Sequence, residues 1–124
     1  MNPEEDYDAA RRALFAVFAE ARRSGIKLDF EVFQEGRPSG SSEAAPLARI
    51  LRRHVKAVTG TAPKFEMCPG LLEVRFYAEQ GIPAYAYGPG FLSIAHGPRE
   101  CVHTDGIVDC AVIYARVAAT MLAE

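Results

Sequence analysis

The stretch KFEMCPGLLEVRFYAEQGIPAYAYG at residues 64–88 predicts the fold of this chain. Residues 64–67 are short and apolar enough for a β-strand, and residues 84–87 form a second run of that kind. Between them, residues 71–80 have the pattern of a helix and are followed by Gly81, a residue type that commonly ends helices. A strand–helix–strand unit usually joins parallel strands through a right-handed crossover. The stretch therefore predicts an α/β layer.

Two longer helices are predicted on either side of this unit. After a glycine-, proline- and serine-rich run at residues 35–42, apolar residues recur at helical spacing up to Gly60, with Ser42 as the expected N-cap. Residues 107–122 are apolar on nearly all sides, so this helix is expected to be largely buried. Residues 91–95 are a candidate for one more strand.

The N-terminal part of the chain predicts a separate unit of one helix and one strand. An Asn-Pro pair at residues 2–3 resembles a helix start, and the helix is expected to end near Ser24. Apolar and charged residues then alternate over residues 26–32, the pattern of a half-buried strand. The predicted division of the chain is therefore residues 1–34, a linker at 35–42, and residues 43–124.

Composition places the chain among ordinary globular proteins. It has 124 residues, 49% of them hydrophobic, and a net charge of −2, which gives no electrostatic basis for binding nucleic acid. Its acidic N-terminus does not resemble a secretory signal, and no segment is expected to reach transmembrane length. Three widely spaced cysteines fit neither a disulfide framework nor a zinc ribbon. These features predict a cytoplasmic protein that does not bind membranes.

The residues with potential chemistry lie in a glycine- and proline-rich loop near residue 96. From spacing alone, His96 is best explained as a surface imidazole, and Glu100 is a carboxylate that could orient it. His103 is expected to be structural or exposed. His54 is expected to be a partly exposed helix residue, because no other metal-binding side chain lies one turn away.

Five short motifs in residues 65–100 change that interpretation of His96. They are Gly70, Glu73-Val74-Arg75-Phe76, Gly81-Ile82-Pro83, Gly88-Pro89-Gly90 and His96-Gly97-Pro98-Arg99-Glu100. Their order resembles the end of the catalytic domain in the metallohydrolase family of acetylornithine deacetylase, succinyl-diaminopimelate desuccinylase, aminoacylases and glutamate carboxypeptidases. The match is inexact, since that family usually has aspartate where this chain has Glu73 and a Gly-Gly-Thr-type turn at residues 68–70.

The resemblance implies roles for individual residues. His96 takes the position of a ligand to one of two zinc ions, and Glu100 that of a supporting carboxylate. Arg75 and the Gly88-Pro89-Gly90 turn are expected to line the substrate pocket. Arg75 is equally well explained as an ion-pair partner of Glu73 or Glu79.

The resemblance also implies a fold and a function. The expected fold is α/β: a partial lid or dimerisation domain of one helix and one strand, followed by the C-terminal α/β layer of a two-zinc hydrolase catalytic domain. The expected function is that of the C-terminal portion of a zinc-dependent amidohydrolase or peptidase acting on N-acyl amino acids or small peptides. That family builds its site with a His-x-Asp element, a bridging aspartate and a Glu-Glu pair that includes the general base. We find no equivalent here, so zinc is expected only with a separate N-terminal half.

Two other hypotheses explain the same sequence. The chain is a candidate non-catalytic, truncated relative that acts as an oligomerising or partner-binding module. In that case an unpaired strand at residues 26–33 predicts a homodimer. A product of a disrupted gene, without a selected function, is the third hypothesis.

Overall fold

The computed structural model describes residues 4–68, 70 and 72–123. Its regular elements are α1 (Tyr7–Arg23), α2 (Pro46–Thr59), α3 (Val74–Glu79), a 3-10 helix (Leu92–Ile94) and α4 (Thr104–Ala123). No β-strand occurs in the residues so described. The predicted α/β class is therefore wrong, and so is the expected α/β layer of a catalytic domain.

The segments predicted as strands are irregular because no backbone ladder pairs them. A strand needs a neighbour that satisfies its N–H and C=O groups, and alternating side chains do not supply one. The Ala84 N–H, for example, donates to the Ser41 hydroxyl at 3.0 Å. Residues 26–32 and 64–67 also form no strand, and residues 91–95 contain the short 3-10 helix instead.

Helix α1 is capped at both ends by local interactions. The Asp6 carboxylate accepts the N–H of the third helical residue at 2.9 Å, and this side chain is the N-cap. The predicted start at residues 2–3 lies outside the described residues, and the helix begins at Tyr7. Its predicted end near Ser24 is confirmed, with Gly25 in the left-handed region at a φ of 87°.

One face of α1 packs against the segment that follows it, and the other face is open. The Phe30 ring lies 5.2 Å from the Phe15 ring and 4.4 Å from the Phe18 ring, centroid to centroid. Leu14 and Val17 point elsewhere and are 53% and 63% exposed. No residue of α1 is buried, and this helix contacts the rest of the chain through a small aromatic cluster and through ion pairs with the linker.

The core lies between α2 and α4, the two helices that pack against each other in the described chain. Ile113 of α4 is fully buried against Leu51 and Val55 of α2. At the edge of this contact, His54 Nε2 lies 2.9 Å from the Thr120 hydroxyl oxygen. His54 is thus a partly exposed helix residue, as predicted.

The ends of α2 follow the prediction only in part. Its C-terminus at Gly60, with a φ of 76°, is confirmed. The expected cap at Ser42 is wrong, because the N-cap is Ala45 and Pro46 occupies the first helical turn. Proline satisfies that position without a side-chain cap, since its missing N–H would have had no helical partner.

The helix predicted at residues 107–122 is present as α4, which begins earlier, at Thr104, and ends at Ala123. The prediction that it is largely buried is wrong. Cys110 and Ile113 are its buried residues, and 11% of its most apolar 18-residue window is buried. By length and composition alone, its 20 residues could also cross a membrane. This corrects the expectation that no segment reaches transmembrane length. Mostly buried core helices of soluble proteins pass the same test, but few residues of α4 are buried. Its exposed apolar residues include Val108, which is 62% exposed, and Leu122, which is 89% exposed.

The predicted linker is held at both of its ends. Near its start, Glu35 pairs with Arg11 at 2.7 Å and Arg37 pairs with Asp8 at 3.0 Å, which attaches it to α1. At its end, the backbone oxygen of Ser42 accepts the Tyr85 hydroxyl at 2.6 Å. The division into residues 1–34, 35–42 and 43–124 stays a prediction.

Candidate functional site

The loop that carries His96 is a compact hydrogen-bonded turn. His96 has a φ of 60°, the left-handed conformation that non-glycine residues seldom adopt. Its backbone N–H donates to the Glu100 carboxylate at 2.9 Å, and the Glu100 N–H donates to the Gly97 carbonyl at 3.0 Å. A Cβ at Gly97 would lie 3.2 Å from the Ile94 carbonyl oxygen, so glycine fits the turn best. The exposed imidazole is thus presented from a locally closed loop.

Glu100 contacts the main chain of His96 and not its ring. The carboxylate therefore supports the loop conformation, and it does not fix the tautomer of the imidazole. This contact spans only four residues. The spacing of the His-x-x-x-Glu motif was visible in the sequence, but the left-handed backbone that makes the contact was not.

Arg75 lies on the short helix α3 and is buried, with 7% of the residue exposed. Its Nη1 donates to the Leu72 carbonyl at 3.0 Å, and its Cζ lies 4.3 Å from the centroid of the Phe76 ring. Neither Glu73 nor Glu79 forms an ion pair with it, so the ion-pair explanation of Arg75 is wrong for both residues. Its Nε is buried and has no hydrogen-bond acceptor.

The Gly88-Pro89-Gly90 turn lies at the start of α4. A Cβ at Gly106 would lie 3.3 Å from Pro89 Cβ, so glycine lets the turn approach this helix closely. Just before the turn, the Tyr114 hydroxyl donates to the Tyr87 carbonyl. The two rings are edge to face at 6.3 Å. Partial burial is the largest cause that raises the pKa of both phenols.

Sequence reasoning missed Tyr114. Tyr114 is 49% exposed, and its signal was a tyrosine in a mostly apolar helix, since a tyrosine with an apolar ring contact commonly has a hydrogen-bond partner for its hydroxyl. The phenol anchors the residues before the turn to α4. It therefore positions the Gly88-Pro89-Gly90 turn without being part of it.

The structure does not bring these predicted site residues together at one place. Arg75 contacts residues of its own segment, His96 contacts Glu100, and Pro89 packs on α4. As a zinc donor, the exposed imidazole of His96 is chemically suitable. However, within residues 4–68, 70 and 72–123 no three histidine, cysteine, aspartate or glutamate side chains are grouped to hold a metal. His103 is exposed, in agreement with the prediction that it is structural or exposed.

The chain is similar in sequence to a known protein family. A family model described as peptidase family M20/M25/M40 matches residues 4–120. The match covers the α1 segment, the linker, the core helices and the three groups just described. No curated protein and no solved structure matched the chain.

Proposed function

This chain belongs to peptidase family M20/M25/M40, and from that membership we propose that it is the C-terminal portion of a zinc-dependent amidohydrolase or peptidase. Its proposed substrates are N-acyl amino acids or small peptides. The observation that carries the proposal is the His96 loop, because its closed turn presents an exposed imidazole where the family resemblance puts a metal ligand. The reducing cytoplasm suggested by its cysteines is the proposed location.

The residues of this chain have separate roles in the proposed reaction. His96 would hold one zinc ion, and Glu100 would keep its loop in the left-handed turn. Arg75 and the Gly88-Pro89-Gly90 turn would line the substrate pocket. Zinc, when bound at such a centre, polarises a carbonyl and activates water for attack on it. The general base and the other ligands would come from outside the described chain.

The exposed face of α4 supports the proposal that a second polypeptide completes the metal site. Val108 and Leu122 are 62% and 89% exposed, although they belong to an apolar helix. Removing such surfaces from water contributes about 25 cal/mol per Å² of apolar area, from which the entropic costs of association are subtracted. A separate N-terminal half that covers this face would also bring its own metal ligands.

An affinity pull-down from the native host tests the proposal. We expect a co-purifying protein that contains a His-x-Asp element and a Glu-Glu pair, with near-stoichiometric zinc in the eluate. A His96→Ala variant should retain the partner but lose part of the zinc, whereas a matched His103→Ala variant should retain both. Recovery of this chain alone, without metal, would contradict the catalytic proposal.

The open face of α1 favours a second candidate, a non-catalytic oligomerising module. The predicted homodimer relied on a strand edge at residues 26–33, and that strand is absent. Leu14 and Val17 nevertheless leave an exposed apolar strip near the middle of α1. Light scattering at micromolar concentration tests this candidate, for which we expect twice the monomer mass. A Leu14→Glu variant should be monomeric, and a wild-type chain that is strictly monomeric would contradict the module.

A further inference from the structure

A cavity on the surface of α2 is lined by two arginines and two apolar residues. Its volume is about 250 Å³, and its lining residues are Pro46, Arg49, Ile50 and Arg53. These positions are three or four residues apart along the helix, so their side chains lie on one face. Ile50 is buried at 5% exposure, whereas both arginines are exposed. The cavity therefore combines positive charge with an apolar surface.

The two arginines lack a negative partner among the described residues. Neither Arg49 nor Arg53 belongs to an ion pair there. The Arg49 Nη1 donates to the Ala44 carbonyl at 2.6 Å, a contact that orients the guanidinium without neutralising its charge. Like charges one helical turn apart repel each other. An anion between the two guanidinium groups would remove this repulsion.

Arg52, on the same helix, is by contrast neutralised within the chain. Its Nη2 pairs with Glu43 Oε2 at 2.6 Å, and its Cζ lies 5.1 Å from the centroid of the Phe65 ring. The first turn of α2 has no acidic residue, so it supplies no carboxylate to Arg49. The positive charge left over on α2 is thus concentrated at the cavity.

We propose that Arg49 and Arg53 bind the phosphate group of a small organic phosphate monoester, whose apolar part packs against Pro46 and Ile50. Guanidinium groups bind phosphate oxygens through paired, charge-assisted hydrogen bonds, and two of them balance the charge of a phosphate dianion. A carboxylate would neutralise one of the two charges and leave the other. Ligand pockets commonly have roughly 300 Å³ or more, so this smaller cavity suits a small ester.

NMR titration of the full chain tests the proposal. The probes are phenyl phosphate, which has a phosphate and an apolar ring, and inorganic phosphate, which lacks the ring. Sodium chloride at equal ionic strength is the control. The Nε–Hε signals of Arg49 and Arg53 report binding directly. We expect saturable shifts of both signals with phenyl phosphate, weaker binding of inorganic phosphate and no saturation with chloride.

Substitutions on α2 locate the site. Arg53→Gln removes one guanidinium at an exposed position without an ion pair to a described residue, so the fold should be retained. The affinity for phenyl phosphate should fall about tenfold, equivalent to one charge-assisted hydrogen bond. Arg52→Gln is the matched control, because Arg52 lies on the same helix but does not line this cavity, and it should leave the affinity unchanged.

His54 provides a second readout next to the site. Partial burial lowers its pKa most, and the charge of Arg53 lowers it further. A phosphate bound to Arg53 would offset that charge, so saturating phenyl phosphate should raise the pKa of His54. An unchanged pKa in the saturated protein would contradict binding at Arg53.

The outcomes separate this proposal from general attraction of anions and from the proposed function. No saturable shift with phenyl phosphate, or the same shift with chloride, would overturn the proposal. Equal losses of affinity in Arg52→Gln and Arg53→Gln would also overturn it, because they would indicate a nonspecific response to the charge of α2. Equal affinities for phenyl phosphate and inorganic phosphate would contradict the assigned apolar contact. Because neither Arg75 nor His96 lines the cavity, a positive titration with a failed pull-down would keep the phosphate site and remove the hydrolase.

Discussion

At the scale of single residues, His54 is the titratable group whose surroundings most directly predict a pH effect. Partial burial, followed in size by the charges of Arg53 and Arg116, lowers its pKa from the ordinary value of 6.5. Below that pH the unfolded chain therefore binds a proton that the folded chain resists. The free energy of unfolding should fall as the pH decreases through 6.5 toward the lower folded-state pKa.

A His54→Gln variant checks this prediction against the wild-type background. Urea denaturation at about pH 7.5 and about pH 5.5, on either side of the ordinary histidine pKa, gives the pH dependence of each protein. We expect a shallower dependence in the variant, because its side chain does not titrate. Equal slopes in the two proteins would assign the pH effect to other groups.

Glu100 gives a second prediction for a single residue. Glu100→Ala removes the acceptor of the His96 N–H, so the left-handed turn should open and the His96 amide should exchange several-fold faster. Glu100→Gln keeps a side-chain oxygen and should retain the turn. Three-bond couplings that report φ of His96 provide a readout that is independent of activity. Unchanged coupling in Glu100→Ala would show that the turn does not need the carboxylate.

At the scale of secondary-structure elements, the contact between α2 and α4 depends on Ile113. This side chain is fully buried against Leu51 and Val55. Ile113→Ala should lower the free energy of unfolding by about 2 to 5 kcal/mol, because it removes buried methyl groups and leaves a cavity. Val108→Ala, at a position of α4 that is 62% exposed, should change it by no more than about 0.5 kcal/mol. Similar losses in both variants would contradict the assigned core.

The elements also show what a sequence can predict locally. Glycines at the ends of helices acted as expected, since Gly25, Gly60 and Gly81 all have positive φ. A helix end depends on its own few residues, so local pattern is sufficient there. The segments at 26–32 and 84–87 failed as strands because a strand depends on a partner that its own residues do not specify.

The candidate site was also predictable only in part from the sequence. The spacing around His96 indicated an ordinary surface residue, and its interpretation as a ligand needed the family resemblance. The sequence offered Glu73 and Glu79 as ion-pair partners of Arg75 and gave no indication that Arg75 is buried. Neither Glu73 nor Glu79, its nearest acidic neighbours along the chain, forms that pair.

At the scale of the whole molecule, we expect the fold of the isolated chain to be independent of metal. The described core consists of apolar side chains from α2 and α4, and His96 is exposed outside it. Treatment with EDTA should therefore leave the midpoint of thermal unfolding unchanged within experimental error. A structural metal site would behave differently, because metal binding then contributes to folding. A clear decrease in the midpoint would show that metal stabilises this chain before any partner binds.

The exposed face of α4 has a consequence for the life of the protein in the cell. We expect a chain that exposes such an apolar helix to be a target of the chaperones and proteases that continuously act on incompletely folded proteins. Its steady-state amount should therefore follow the supply of the completing polypeptide that we propose covers α4. Depleting that partner would shorten the lifetime of this chain without any change in its own synthesis.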